Sequence, residues 1–441
     1  MEKKCWLISV NMGYGHQRTA FPLRHLALDE MIINANDYHK MPGEDKKAWK
    51  AIKDFYEFVS NVKRIPLFGD LIFLIFDFFQ KIFNFYPKRD LSRPNFQLKE
   101  TYEMIKGGWG RDLIEKLKKR NEKIGKTLPL VSTFFVPAFM AEFFRYPGDI
   151  FCVVCDADVS RSWAPFYPKE SKIKYFAPTQ RVAERLKLYG IDQRNIFFTG
   201  YPLPKELIGA EQMEELKENL KHRLLNLDPQ KKYFQGYQEL VVSKLGPVPS
   251  VSDHPLTILF SIGGAGAQKE QAIAYLRSLF FYLKKGELRI ILSAGVKEKV
   301  NNYFLKSIEK LGLEERLGKE IEIIFSSSVK GYFEKFNQAL KKTDILWTKP
   351  SELSFYSALG IPILIAPPIG SQEQSNMRWL LKSGFALKQE NPAYARQWLF
   401  DWLREGYFAE AAMEAFIEGE KLGTFNIEKI IPAPSPLENG F

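Results

Sequence analysis

ILWTKPSELSFYSALGIPILIAPPIGSQEQSNMRWLLKSGFA, residues 345–386, is the stretch whose reading decides the fold. Ile345-Leu346-Trp347 has the length and residue types of a buried strand. Lys349-Pro350-Ser351 turns the chain, and Ser351 stands at the N-cap of a helix that Gly360 and Pro362 end. Residues 361–366 form a second apolar run, so strand, helix and strand make a parallel βαβ unit. Pro367, Pro368 and Gly370 make the next loop, and Gln372-Glu373-Gln374-Ser375-Asn376 opens another helix. Two helix N-termini therefore fall just beyond the carboxyl ends of two neighbouring strands. In an open α/β sheet that edge binds ligands, and the N–H groups there favour anions.

Working outward, the same punctuation recurs twice. Residues 256–260 read as a strand, Ser261-Ile262-Gly263-Gly264-Ala265-Gly266-Ala267 as a glycine loop, and a helix follows from Gln268. At the other end of the chain, residues 5–10 read as a strand, Asn11-Met12-Gly13-Tyr14-Gly15-His16 as a loop, and 17–29 as a helix. Glycines let a bound group approach the main chain closely. Further strands are expected at 128–135, 150–155, 174–177, 196–198, 289–293 and 321–325. Pro247, Pro249 and Pro255 mark a loop between two halves.

The order Lys349-Pro350-Ser351, helix, Gly360-Ile361-Pro362, strand, Gln372-Glu373-x-x-Asn376 resembles the donor site of glycosyltransferases of the two-Rossmann-domain, GT-B type. It is most similar to the group containing the processive diacylglycerol glucosyltransferases, monogalactosyldiacylglycerol synthase and the undecaprenyl-PP-MurNAc-pentapeptide GlcNAc transferase. Gly13-x-Gly15-His16 and Thr199-Gly200-Tyr201-Pro202 match the same pattern. The resemblance implies an α/β fold of two Rossmann-like domains facing across a cleft. The expected divisions are an acceptor-side domain at 1–205, a helix and linker at 206–255, a donor domain at 256–390, and a helix crossing back with a tail at 391–441. A nucleotide-sugar, probed first as UDP-linked, is the expected co-substrate, with no other cofactor and no metal.

Site residues follow from the same resemblance. Gly263, Gly264 and Gly266 would lie along the diphosphate, with Lys349 and Ser351 adding donors. Gln372, Glu373 and Asn376 would hold the sugar. His16 would act as base or stabilise an oxygen, beside an acceptor loop of Gly13, Gly15 and Trp163. Asp156 is a second candidate base or the group that orients one, against a loop-capping role. Two positions depart from the pattern. Phe355 stands where the ribose-binding glutamate belongs, and Ser160 where a histidine does. Glu352, one helical turn earlier, is expected to take over the ribose hydroxyls; otherwise it only favours the helix dipole. These departures keep open a non-catalytic nucleotide-sugar-binding protein, and the shared architecture keeps open a nucleotide-sugar epimerase.

Composition adds the partners. A net charge of +11 points to an anionic partner, and the resemblance selects nucleotide phosphates and an anionic membrane surface over nucleic acid. Segment 65–87, IPLFGDLIFLIFDFFQKIFNFYP, concentrates the phenylalanines. As a helix it carries Asp70, Asp77, Lys81 and Asn84 on one narrow stripe, which break it before spanning length. It reads as a buried helix or as an interfacial element, and the resemblance favours lipid contact through Phe73, Phe76 and Phe79. Three cysteines and no leader-like apolar run suit a reducing compartment, with the chain peripheral at the inner face of a membrane.

Overall fold

The computed structural model describes residues 3–62, 82–261, 268–368 and 370–436. The chain divides into two compact units, one of residues 1–202, 369–375 and 422–441, the other of 203–368 and 376–421. Each is built on a six-stranded sheet whose described strands are all parallel.

In the first unit the strands are β1 (Cys5–Ser9), β2 (Ala27–Asn34), β3 (Lys126–Thr127), β4 (Leu130–Ser132), β5 (Ile150–Val153), β6 (Lys174–Ala177) and β7 (Ile196–Phe198). The sheet order is β2-β1-β4-β5-β6-β7, with β3 outside it. The chain steps from β1 to one side, then returns to the other side as β4, so the order reverses between β1 and β4. Parallel strands covered on both faces bury nearly every side chain. Leu7, Val131, Phe151, Val153 and Phe176 accordingly share one core with Ile427 and Ile431. The rings of Phe151 and Phe176 stack at 5.0 Å between centroids.

β2 overturns the helix expected over 17–29. The helix Tyr14–Ala20 gives way at once to a 3-10 turn, Phe21–Leu26, with Pro22 at its start. Asp29 and Glu30 then both take positive φ, and the pairing with β1 jumps from Cys5↔Ala27 to Leu7↔Ile32. A strand bulged at the sheet edge loses its alternation, which is why its period was not visible. The expected strand over 128–135 is likewise divided, since a helix Phe135–Phe143 starts directly after β4.

The second unit holds β8 (Leu256–Ser261), β9 (Leu288–Gly295), β10 (Ile321–Phe325), β11 (Ile345–Thr348), β12 (Ile363–Ile365) and β13 (Ala386–Lys388). Their order, β10-β9-β8-β11-β12-β13, is the 3-2-1-4-5-6 order of dinucleotide-binding folds, reversing between β8 and β11. Residues 206–255 contribute two helices to this unit, Glu214–Leu227 and Lys232–Leu245. From the first of them the buried Arg223 reaches inward. Its Nε donates to the Thr343 carbonyl at 2.7 Å and its Nη1 to that of Leu359 at 3.0 Å. The Leu359 carbonyl ends a 3-10 helix and has no partner within it, and the Thr343 carbonyl lies just past a helix that ends at Lys341. Burial lowers the Arg223 pKa to about 10, opposed by the nearby Asp344, so the guanidinium stays charged.

The tail returns to the first unit. Helix Gly423–Ile430 is fixed by Asn426 Nδ2 donating to the Thr199 carbonyl at 2.9 Å. Gly423 lies so close to Tyr201 that a Cβ there would sit 2.1 Å from its carbonyl oxygen. A short β14 (Ser435–Pro436) pairs antiparallel with β3.

Candidate functional site

Ligands of open α/β sheets bind outside the carboxyl ends of the strands where the order reverses. In the first unit that place is the loop after β1 and the residues after β4. Gly13 turns the chain at φ 100, a conformation that side chains strain, and the helix Tyr14–Ala20 follows. Thr19 holds this helix, donating to the Gly15 carbonyl at 2.8 Å and sharing a 3.0 Å hydrogen bond with the Tyr201 hydroxyl.

His16 faces the end of β4. Its Nδ1 lies 2.8 Å from the Thr133 carbonyl oxygen and 3.5 Å from Cys155 Sγ. Phe134 and Trp163 wall the ring at 4.7 and 6.3 Å between centroids. The residue keeps part of its surface open, yet its ring sits among apolar neighbours. Burial lowers its pKa to about 4, against a smaller upward effect of the Thr133 hydrogen bond. At neutral pH the imidazole is therefore uncharged.

The sequence-expected residues around it are brought together unevenly. Trp163 is buried in a 3-10 turn, Arg161–Trp163, with its carbonyl bonded by Tyr175. Asp156 follows Cys155 at the end of β5, and the Cys155 thiol lies 4.0 Å from its Oδ2. Asp158, the other acid of Asp156-Ala157-Asp158, is committed to Arg185 through bonds of 2.8 and 2.9 Å. Among the described residues no group of histidines, cysteines and acids is arranged to hold a metal. Ser160 is buried and leads into the Trp163 turn without capping it through its side chain. Cys5, Cys152 and Cys155 are buried and form no disulfide.

In the second unit the reversal lies between the ends of β8 and β11. The glycines expected there, Gly263, Gly264 and Gly266, lie outside the described residues. After β11, the turn Lys349-Pro350-Ser351 is present, with the Ser351 N–H bonded to the Lys349 carbonyl at 2.8 Å. The helix that Ser351 was expected to cap is instead a 3-10 helix, Glu352–Leu359, and Ser351 makes no side-chain cap. All eight of its residues are buried, which tight 3-10 winding against neighbouring elements permits and a solvated α-helix would not. Gly360 closes it at φ 65, with Leu220 packed against it.

Phe355 packs its ring 5.1 Å from Trp379 as a core residue. Side chains three apart eclipse one another on a 3-10 helix, so Glu352 shares its face. Gln372 and Glu373 sit half-buried in the first turn of the helix Ser371–Lys382. Asn376 is fully buried, and its amide donates to the Pro350 carbonyl at 3.1 Å, which fixes the turn. Sequence reading missed Thr133, Tyr201 and Arg223. Their roles depend on partners 117, 182 and 120 residues away, which no local pattern reports.

Phe73, Phe76 and Phe79 also lie outside the described residues. Of segment 65–87, residues 82–87 are described and hold no helix, so the stripe does not extend to Asn84. Phe83 and Tyr86 are 41% and 68% exposed, while Phe85 is covered by the Arg181 guanidinium at 3.9 Å. No helix among the described residues is long and apolar enough to cross a membrane.

Comparison with known proteins adds three findings. Residues 250–378 match a family described as a domain of unknown function, DUF6938. A processive diacylglycerol beta-glucosyltransferase of Bacillus licheniformis is 23% identical over 61% of this chain, and the match spans 59% of that relative's length. Two solved structures, Acinetobacter baumannii MurG and S. aureus MnaA with UDP, align at TM-scores of 0.45. Their identities are 11% and 12%, over 97% and 99% of this chain and 99% and 100% of theirs. The sequence is thus similar to the glycosyltransferase group that its own motifs resemble.

Proposed function

We propose that this chain is a metal-independent hexosyltransferase. It moves a sugar from a UDP-linked donor on the second unit to a hydroxyl of a lipid or lipid-linked acceptor reached from the first. The observation that carries this reading is His16, an uncharged imidazole at the strand-order reversal of its sheet. In the reaction the acceptor oxygen attacks the anomeric carbon and a new C–O bond forms. The bond from that carbon to the diphosphate oxygen breaks, the diphosphate leaves with the electron pair, and His16 accepts the hydroxyl proton. Lys349 and the main-chain N–H groups of the second unit's loops stabilise the departing charge, the task a metal ion serves elsewhere.

A lipid acceptor is supported by the exposed Phe83 and Tyr86 beside Lys88, Arg89 and Arg181, a mixture suited to an anionic bilayer surface. The similar Bacillus protein is named for diacylglycerol. Both support a location at the inner face of a membrane. The test is incubation with UDP-glucose, UDP-galactose and UDP-N-acetylglucosamine, each with dioleoylglycerol in anionic vesicles and EDTA. Glycolipid formation from one donor is expected. Tight UDP binding without transfer would mark a binding protein, and C2 epimerisation of free UDP-N-acetylglucosamine would mark an epimerase.

A further inference from the structure

We infer that Thr133 is the positioning residue of His16, holding the imidazole as its Nδ1–H tautomer so that Nε2 is the proton acceptor. The inference rests on the transferase reading for its catalytic meaning, but its geometry is independent of it. A carbonyl oxygen only accepts hydrogen bonds, so the 2.8 Å contact between His16 Nδ1 and the Thr133 oxygen requires the hydrogen on Nδ1. An uncharged imidazole carries one N–H, which leaves the lone pair on Nε2.

Thr133 does this with both ends of the residue. Its N–H donates to the Ile8 carbonyl at 3.0 Å, extending the β1–β4 pairing by one step. Its hydroxyl lies 2.9 Å from the His16 carbonyl oxygen and 3.2 Å from Ser9 Oγ. The hydroxyl thus ties the His16 main chain to the end of β1 while the carbonyl aims the ring. Thr133 is fully buried, so water does not compete for either bond. Cys155 Sγ, at 3.5 Å from Nδ1, is the longer and weaker contact. Orientation by a carbonyl differs from orientation by a carboxylate. It fixes the tautomer and direction but brings no negative charge to strengthen the base.

The test uses the full chain labelled with 15N-histidine, read by long-range proton–nitrogen correlation. Wild type is expected to show His16 protonated on Nδ1 alone near neutral pH. Thr133→Val keeps the shape and removes the hydroxyl. The carbonyl remains, but the His16 main chain is no longer tied, so the ring should leave that carbonyl part of the time, giving a mixture of tautomers and lowering kcat for UDP-glucose with dioleoylglycerol on the order of 10–100-fold. KM for the donor should change by less than about twofold. Thr133→Ser should restore both the tautomer and the turnover, which a purely structural methyl contact would not. An Nε2–H tautomer in wild type overturns the inference, as does Thr133→Val with wild-type tautomer and turnover. Should Thr133→Val not fold, the wild-type tautomer and the Thr133→Ser spectrum decide. If wild type transfers no sugar, the transferase reading fails while the tautomer still decides the role of Thr133.

Discussion

The two sheets reverse their strand order at corresponding places and put different chemistry there. At the end of β1 and β4 stands a titratable side chain, His16, whose charge is suppressed by its surroundings. At the end of β11 stand main-chain groups, a hydroxyl and a buried glutamate, in a turn fixed by Asn376. The first arrangement suits a proton acceptor in that it leaves a free lone pair at neutral pH, though a pKa of about 4 makes it a weak base. The second suits a charged, hydroxyl-rich ligand, which needs fixed donors and acceptors. The supports differ accordingly. His16 is aimed by one residue, Thr133, whereas the second unit's edge rests on an anchor deep below it, Arg223.

His16→Ala breaks the first side of this contrast, and its effect is the largest. Turnover should fall on the order of 10²–10⁴-fold, with UDP affinity by calorimetry unchanged. An equal loss of UDP affinity would show that His16 serves the nucleotide instead. The pH dependence sharpens the point. With a pKa of about 4 the base is deprotonated at higher pH, so kcat/KM should be flat from about pH 5 upward as far as this group controls it. Activity should be lost as pH falls through about 4, when the ring takes its proton. A decline beginning near pH 6.5 would mean that His16 is not held among apolar neighbours.

Arg223→Ala attacks the second side. It strips the hydrogen bonds from the carbonyls of Thr343 and Leu359 and removes a buried cation whose charge is felt by Asp344. The expected loss is about 3 kcal/mol or more in urea unfolding of the second unit. Arg223→Lys should recover only part of it, because an ammonium cannot reach separate carbonyls with a planar fork. A loss below about 0.5 kcal/mol would show that solvent replaces these bonds.

Glu352 tests whether the second edge reads ribose. Glu352→Gln should weaken UDP by about tenfold while weakening 2′-deoxy-UDP much less, because one carboxylate–hydroxyl bond is worth roughly 1.5 kcal/mol or more. It eclipses Phe355, the position of the expected ribose glutamate, on the 3-10 helix. Equal losses for both nucleotides would leave Glu352 a support of its own turn.

How much of this was legible depended on range in the sequence. β5, β6 and β11 were visible because strands buried on both faces read as unbroken apolar runs. The turn at Lys349-Pro350-Ser351 was visible from its proline, and Gly13 from its neighbours. β2 was not, because Asp29 and Glu30 bend it out of period. The winding of residues 352–359 was not, because α and 3-10 helices share start and stop signals and only packing separates them. His16 was nameable as a candidate, but its tautomer and lowered pKa came from Thr133, Phe134 and Trp163, all distant in the chain.

The smallest expected effect lies at the opposite edge of the second sheet, where neighbouring acids favour the charged form of a histidine. His254 is held between two acids, Nδ1 donating to Asp253 at 2.5 Å and Nε2 to Asp344 at 3.1 Å. Asp344 is fully buried and also accepts from the Thr257 N–H at 2.7 Å and from Asn226 at 3.0 Å. Burial alone would lower the His254 pKa, but the hydrogen bonds and charges of Asp344 and Asp253 outweigh it and raise it above 6.5. A raised folded-state pKa means that the native chain holds this proton more tightly than the unfolded chain. The stabilisation is therefore complete below pH 6.5 and is lost as pH rises through the folded value. His222, Glu218 and Lys342 face the same cluster. His254→Gln keeps a donor for Asp344 and removes the titration. Wild type should lose stability to urea between pH 6.5 and 9, and His254→Gln should lose less over the same interval. Parallel pH profiles for the two proteins would show that His254 is neutral in the fold, and that the charged and neutral histidines of the two units do not differ after all.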